Sequence, residues 1–209
     1  MRVTISMPCY RRPRRTIRAI ESIMAQSING WEALVVGDGC PDMAKFINSN
    51  YFASMQDEAN SKGNSLIIEN SDRNMGGWGY NVTNYNIGRA KGNYFVFLDN
   101  DDVYMPNHLE NYLSGIENTH YDFVFFNSRL HLKNQTRDSQ LSCGTIGHSE
   151  LIIKTSFLKT VPMHSASYGH DWEMIHHMMR LTRNYSKAHG KPATYMVMST
   201  PDLRETGID

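Results

Sequence analysis

Cysteine is scarce in this chain: Cys9, Cys40 and Cys143 are the only three in 209 residues. An odd number at wide spacing fits neither a disulfide framework nor a paired zinc-ligand pattern, so a reducing, cytoplasmic setting is expected. Net charge is also missing, because 21 basic and 21 acidic residues cancel. That balance leaves no electrostatic footprint for nucleic acid or an anionic membrane surface. No apolar run approaches the roughly 20 residues that span a bilayer, and "MRVTISMP" lacks the apolar stretch of a signal peptide. An unexported chain without an integral membrane segment is therefore expected. Internal repeats and low-complexity segments are absent too. The one basic cluster, Arg11, Arg12, Arg14 and Arg15, is too local to be a tail and reads as a loop entering a helix.

What is present is alternation. "VTISMP" (3–8) is a β-branched strand stopped by Pro8, and from Pro13 the residues Ile17, Ile20, Ile23 and Met24 recur at helical spacing. A second strand, "WEALVVGDG" (31–39), breaks at Gly37-Asp38-Gly39. One helix is predicted over about 43–58, a third strand at 65–70, a glycine-rich loop at 73–79, a helix at 80–90 and a fourth strand at 93–99. Strands alternating with helices predict a mostly parallel sheet flanked by helices. After residue 105 the pattern is mixed: a helix at about 107–118, strands at 122–129, 150–153 and 194–199, a hairpin through 131–138, and an amphipathic helix at about 171–183. One α/β domain over 1–209 is the expectation, since this length suits a single core.

In parallel sheets ligands sit beyond the carboxyl ends of the strands. Three polar loops fall there: Pro8–Pro13, Asp38–Asp42 and "FLDNDD", where an apolar strand ends in Asp99, Asp101 and Asp102. Carboxylates packed this tightly repel one another and raise one another's pKa unless a cation joins them. Magnesium and manganese are held by such oxygen ligands together with substrate phosphates. A solvated acidic turn is the competing reading of the aspartates alone.

"TISMPCYRRPRRTIRAIESIMAQS" (4–27), "WEALVVGDGCPD" (31–42), "NMGGWGYNVTNYNIGRAKGNYFVFLDNDD" (74–102) and "YGHDWEMIHHMMRL" (168–181) together resemble a family 2 glycosyltransferase of GT-A (Rossmann-like) fold. The resemblance implies a nucleotide-sugar-binding half at 3–104 and an acceptor-binding half at 105–209. It implies Pro8 and Tyr10 beside the nucleobase and Asp38 bonded to it. Asn74, Gly76 and Gly77 match an "NxGG" loop close to phosphate or sugar, and Arg11, standing where the family usually has Asn, is a candidate contact to the diphosphate with a solvated side chain as the competing reading. The DXD motif maps to Asp99, Asn100 and Asp101, with Asp101 and Asp99 toward a Mn2+ or Mg2+ ion and Asp102 as second choice. Asp171 corresponds to the catalytic base of an inverting transfer from a nucleotide-sugar, UDP-linked by preference, to a glycan or other hydroxyl acceptor. A late histidine completes the metal site in some GT-A enzymes, which brings in His148, His176, His177 and His189. Gly37, Arg11, Thr83 and His170 depart from the pattern and keep open a non-catalytic nucleotide- or glycan-binding domain. A nucleotidyltransferase is the third reading, although "MPCYRRP" lacks the glycines that wrap a triphosphate. Trp78 and Trp172 are candidates for a sugar-stacking wall, and the methionine stripe of 174–179 is expected to be core.

Overall fold

The structure, a computed structural model, describes residues 2–161 and 169–198. The first half alternates as expected: β1 (Val3–Cys9), α1 (Pro13–Met24), β2 (Trp31–Gly37), α2 (Pro41–Phe46), α3 (Asn50–Ser61), β3 (Ser65–Asn70), α4 (Tyr80–Arg89) and β4 (Tyr94–Phe97). The second half adds β5 (Val103–Tyr104), α5 (His108–Ile116), β6 (Phe123–Phe125), β7 (Ser128–Leu130), β8 (Gln135–Arg137), β9 (Leu151–Lys154), α6 (Thr155–Leu158), α7 (His170–Leu181), β10 (Tyr185–Lys187) and β11 (Tyr195–Val197).

Seven strands form the main sheet in the order β10-β6-β9-β4-β1-β2-β3, and β9 alone runs antiparallel to its neighbours. A smaller sheet, β5-β11-β7-β8, stands beside it. Alternate residues of β4 and β6 enter opposite layers, as the period of two requires. Val96 and Val124 face a core shared with Ile5, Val35 and Ile20 of α1, whereas Phe95, Phe97 and Phe123 pack against Met174, Ile175 and Met178 of α7. The methionine stripe is therefore core.

Several boundaries differ from the sequence expectation. The single helix predicted over 43–58 is two, because Ser49 caps a fresh start with its side chain accepting from Phe52 N–H. The strand predicted at 122–129 splits between the two sheets, with β6 in the larger and β7 in the smaller. The hairpin through 131–138 is present as β7 and β8. No helix among the described residues is long and apolar enough to cross a membrane.

His108 is a buried anomaly near the junction of the sheets. Its ring stacks on Tyr104 at 3.8 Å and lies 3.9 Å from Tyr112, while Nδ1 meets Thr194 Oγ1 at 3.1 Å. Nε2 is buried without a hydrogen-bond partner, and burial pushes the imidazole down to about 3. The unfolded chain protonates this histidine near 6.5 and the native chain only near 3, so between those values the unfolded state binds more protons. Stability thus falls as pH drops through this window, by up to about 1.4 kcal/mol per pH unit from this group. Denaturant melts of wild type and His108→Phe, from pH 7 down to pH 4, are expected to converge or cross in the variant's favour as pH falls. Parallel profiles would exclude this histidine as the source.

Candidate active site

β1, β2 and β4 are neighbours in the sheet and run parallel, so their carboxyl ends deliver three loops to one edge. The loop after β1 is held in an uncommon shape: Arg11 and Arg12 have φ of 58° and 57°, the left-handed region that side-chain-bearing residues seldom adopt. Cys40 Sγ accepts from Arg11 N–H at 3.1 Å, and Asn100 Nδ2 donates to the Arg11 carbonyl and to Thr16 Oγ1. Asn100 therefore ties the acidic loop to the arginine loop. Tyr10 projects from it half exposed, with the Arg11 guanidinium 5.3 Å from its ring centroid.

Asp38 is buried, and its carboxylate accepts from Met75 N–H at 2.5 Å while Asn74 Nδ2 donates to the Asp38 carbonyl at 3.0 Å. The glycine-rich loop is thus clamped onto the end of β2. It turns through Gly76, Gly77, Trp78 and Gly79, all at positive φ. A side chain at Gly79 would meet Pro8 at 3.1 Å, so the loop packs directly on β1's proline. Gly37 also has a steric reason: a Cβ there would lie 2.2 Å from Asn70 Oδ1, which accepts from Cys40 N–H. The Asn70 carboxamide thus fills the space beside β2 that a side chain at position 37 would need.

The three aspartates after β4 have different surroundings. Asp101 Oδ2 accepts from Arg12 at 2.5 Å and lies 3.9 Å from Arg15, and Arg18 donates to the Asp101 carbonyl. Asp102 is buried and accepts from Tyr195 Oη at 2.9 Å and Met198 N–H at 2.7 Å. Burial and the charges of Asp99 and Asp101 push its carboxyl up to about 7 against those bonds. Asp99 accepts from Ser149 Oγ at 3.0 Å and Tyr195 Oη at 3.3 Å, and its Oδ1 faces His148 Nε2 at 3.3 Å.

His148 reaches across the site. Its Nδ1 hydrogen-bonds Asp171 Oδ1, which also meets His170 Nε2 at 3.0 Å. Asp99, His148, Asp171 and His170 therefore form one chain of alternating acids and imidazoles, although Asp99 follows β4 and Asp171 opens α7. Burial alone would raise the acids and lower the imidazole. The His148 charge outweighs it and holds Asp99 and Asp171 below the ordinary carboxylate range. Asp171 and Asp99 in turn hold His148 well above the usual imidazole value despite its burial.

Of the four late histidines expected as possible ligands, His148 lies in this chain. His176 is exposed and stacks on Trp172, whose ring it parallels at 5.9 Å. His189 is exposed, and neither it nor His177 joins a group of metal-ligating side chains among the described residues. Trp78 is exposed and on the glycine-rich loop, while Trp172 packs on the α7 side of the sheet. Thr83 is buried on α4 and Arg73 is exposed. Sequence reading passed over Tyr195, Ser149 and Asn70. Tyr195 stood inside an apolar run, "TYMVMS", which marks a strand but not the acids its hydroxyl serves.

Residues 4–205 match the sequence family described as Glycosyl transferase family 2. The chain belongs to that family. It is 26% identical over 205 residues to an uncharacterized glycosyltransferase of Rickettsia typhi, covering 88% of this chain and 60% of the relative. A β-1,3-glucosyltransferase of Escherichia coli, WfgD, named for UDP-Glc and a GlcNAc-diphosphoundecaprenol acceptor, is 26% identical over 128 residues, or 61% of this chain and 46% of that one. Among solved folds, Staphylococcus aureus TarS 1–349 in complex with UDP superposes with a TM-score of 0.77 at 17% identity, over 96% of this chain and 61% of that one. A Pyrobaculum calidifontis mannosyltransferase in complex with GDP-Man and Mn2+ gives 0.69 at 15% identity, over 96% and 57%. At such identity these structures establish the GT-A fold. This family 2 chain spans less than two thirds of the length of each of these relatives.

Proposed function

We propose that this family 2 chain is a glycosyltransferase that moves a sugar from a nucleotide-sugar, UDP-linked by preference, to a hydroxyl acceptor with inversion. The observation that carries this reading is the joining of the acids after β4 to Asp171 through His148 at the edge where the β1 and β2 loops also end. Residues 3–104 would hold the donor and 105–209 would shape the acceptor side. The free, buried thiols of Cys9 and Cys40 suit a cytoplasmic setting.

Pro8 and half-exposed Tyr10 flank the base, and Tyr10 offers it a ring face. Asp38, already accepting from Met75 N–H, retains an oxygen for the base. Gly76 and Gly77 bring backbone close to phosphate or sugar, with Asn74 fixing the loop's start and Arg11 alongside the diphosphate. Asp101 and Asp99 would hold Mn2+ or Mg2+, whose chemistry is to neutralise the departing diphosphate. The residues fit such an ion: Asp101 already draws two guanidinium groups, and burial together with the charges of Asp99 and Asp101 raises the Asp102 carboxyl. Asn100, whose amide donates to the Arg11 carbonyl and Thr16 Oγ1, positions this loop on the nucleotide-sugar side. Asp171, ionised through its pairing with His148, takes the proton of the attacking hydroxyl.

Calorimetric titration with UDP and GDP, first with manganese and then with EDTA, tests the reading. Manganese-dependent binding of UDP in preference to GDP is the expected result. Absence of binding to either would overturn it, and donor binding without turnover toward any acceptor would leave a non-catalytic domain.

A further inference from the structure

We infer that His148, His170 and Asp171 form an imidazole-rich cation site, distinct from the Asp99 and Asp101 pair, that takes a zinc-class divalent ion. One ligand atom from each of the three lies within 4.8 Å of the others, and no other such group occurs among the described residues. Both imidazoles converge on one carboxylate oxygen: His148 Nδ1 and His170 Nε2 each contact Asp171 Oδ1, the latter at 3.0 Å. Donors bound about 2.0–2.2 Å from a zinc ion stand roughly 3.3–3.6 Å apart, so the His170 contact needs to open only slightly, while the closer His148–Asp171 hydrogen bond would give up its proton and widen to admit the ion. The two ring planes are 22° apart with centroids at 6.0 Å, so both imidazoles stand beside the same carboxylate.

The surroundings resemble a built site. The other nitrogen of His148 faces Asp99 Oδ1 at 3.3 Å, and Asp99 is itself held by Ser149 and Tyr195. A ligating imidazole backed by a hydrogen-bonded carboxylate is the usual support of a metal-bound histidine. Gly147 leaves room for the Asp171 carboxylate, since a Cβ there would come within 3.3 Å of Oδ2. Two imidazoles and one carboxylate suit zinc, whereas the all-oxygen aspartates suit magnesium or manganese. Three protein donors leave a fourth position open. Zinc at this position would also engage the carboxylate assigned as base, so it should inhibit transfer; that consequence rests on the function proposed above, and the binding does not.

The full chain is titrated with zinc chloride by calorimetry without nucleotide, and cobalt chloride supplies a spectroscopic probe. One zinc per chain is expected, with affinity falling at least about 10-fold in His170→Gln. The cobalt spectrum should show nitrogen and oxygen coordination without a thiolate charge-transfer band. His148→Gln is the parallel variant; because His148 also pairs with Asp99, His170→Gln carries the test if His148→Gln does not fold. Undiminished zinc affinity in His170→Gln, a thiolate band, or no zinc binding by wild type would each overturn the site. Zinc added to the manganese-supported transfer reaction should inhibit with the midpoint seen in calorimetry. Unchanged transfer despite the expected binding would leave the site standing and overturn Asp171 as base.

Discussion

Replacing Asp171 with Asn is expected to lower transfer by about 10²–10⁴-fold, the ordinary contribution of a positioned proton acceptor, without altering nucleotide affinity. The two parts of this expectation come from different places in the fold. Asp171 is on the first turn of α7 and touches His148 and His170, while the proposed nucleotide contacts are on the loops after β1, β2 and β4. Asn matches Asp in shape, so α7 keeps its packing through Met174, Ile175 and Met178. What disappears is the charge that receives the proton. The loss should appear in kcat, with donor binding by calorimetry superimposable on wild type. Transfer at the wild-type rate would remove Asp171 from the chemistry. A parallel fall in donor affinity would instead show that His148 transmits the change to Asp99, its partner at 3.3 Å.

Local pattern made the first half of the fold legible. Buried strands and amphipathic α1 announce themselves by periods of two and 3.6, and glycine and proline punctuate the loops between them. α7 was readable for the same reason. The Ser49 cap that divides α2 from α3 and the exchange of sheets between β6 and β7 were not, because each is decided by partners rather than by periodicity. The short strands β5 and β10 are two and three residues long, too brief to carry a period.

The candidate site follows the same division. Asp99, Asp101 and Asp171 were visible as acids at strand and helix ends. Their separate environments were not, since Asp102 depends on Tyr195 from β11 and Asp99 on His148, some 50 residues later, by way of a connection no local signal encodes. Gly37 read as a departure from the family pattern. In the structure, Asn70 from the next strand fills the space that a side chain at position 37 would need.

Asp101→Ala is expected to remove the manganese-dependent part of nucleotide binding entirely, leaving the affinity measured in EDTA. Arg12→Ala should act in the opposite direction. The Arg12 guanidinium holds Asp101 Oδ2 at 2.5 Å, with Arg15 at 3.9 Å, so a metal ion and this arginine compete for one carboxylate. Arg12 is half exposed, and a pair of that kind contributes about 0.2–1 kcal/mol. Removing it should therefore tighten manganese binding by roughly 1.5- to 5-fold. Calorimetry with manganese alone, then with UDP, separates the two effects. An Asp101→Ala protein that still binds UDP with a full manganese response would transfer the ligand role to Asp99 or Asp102. Unaltered manganese affinity in Arg12→Ala, alongside loss in Asp101→Ala, would mean that the arginine swings aside at no cost. The left-handed backbone at Arg11 and Arg12 argues against so free a motion, because the bonds from Cys40 and Asn100 fix the backbone at Arg11 and with it the point from which Arg12 reaches the acid.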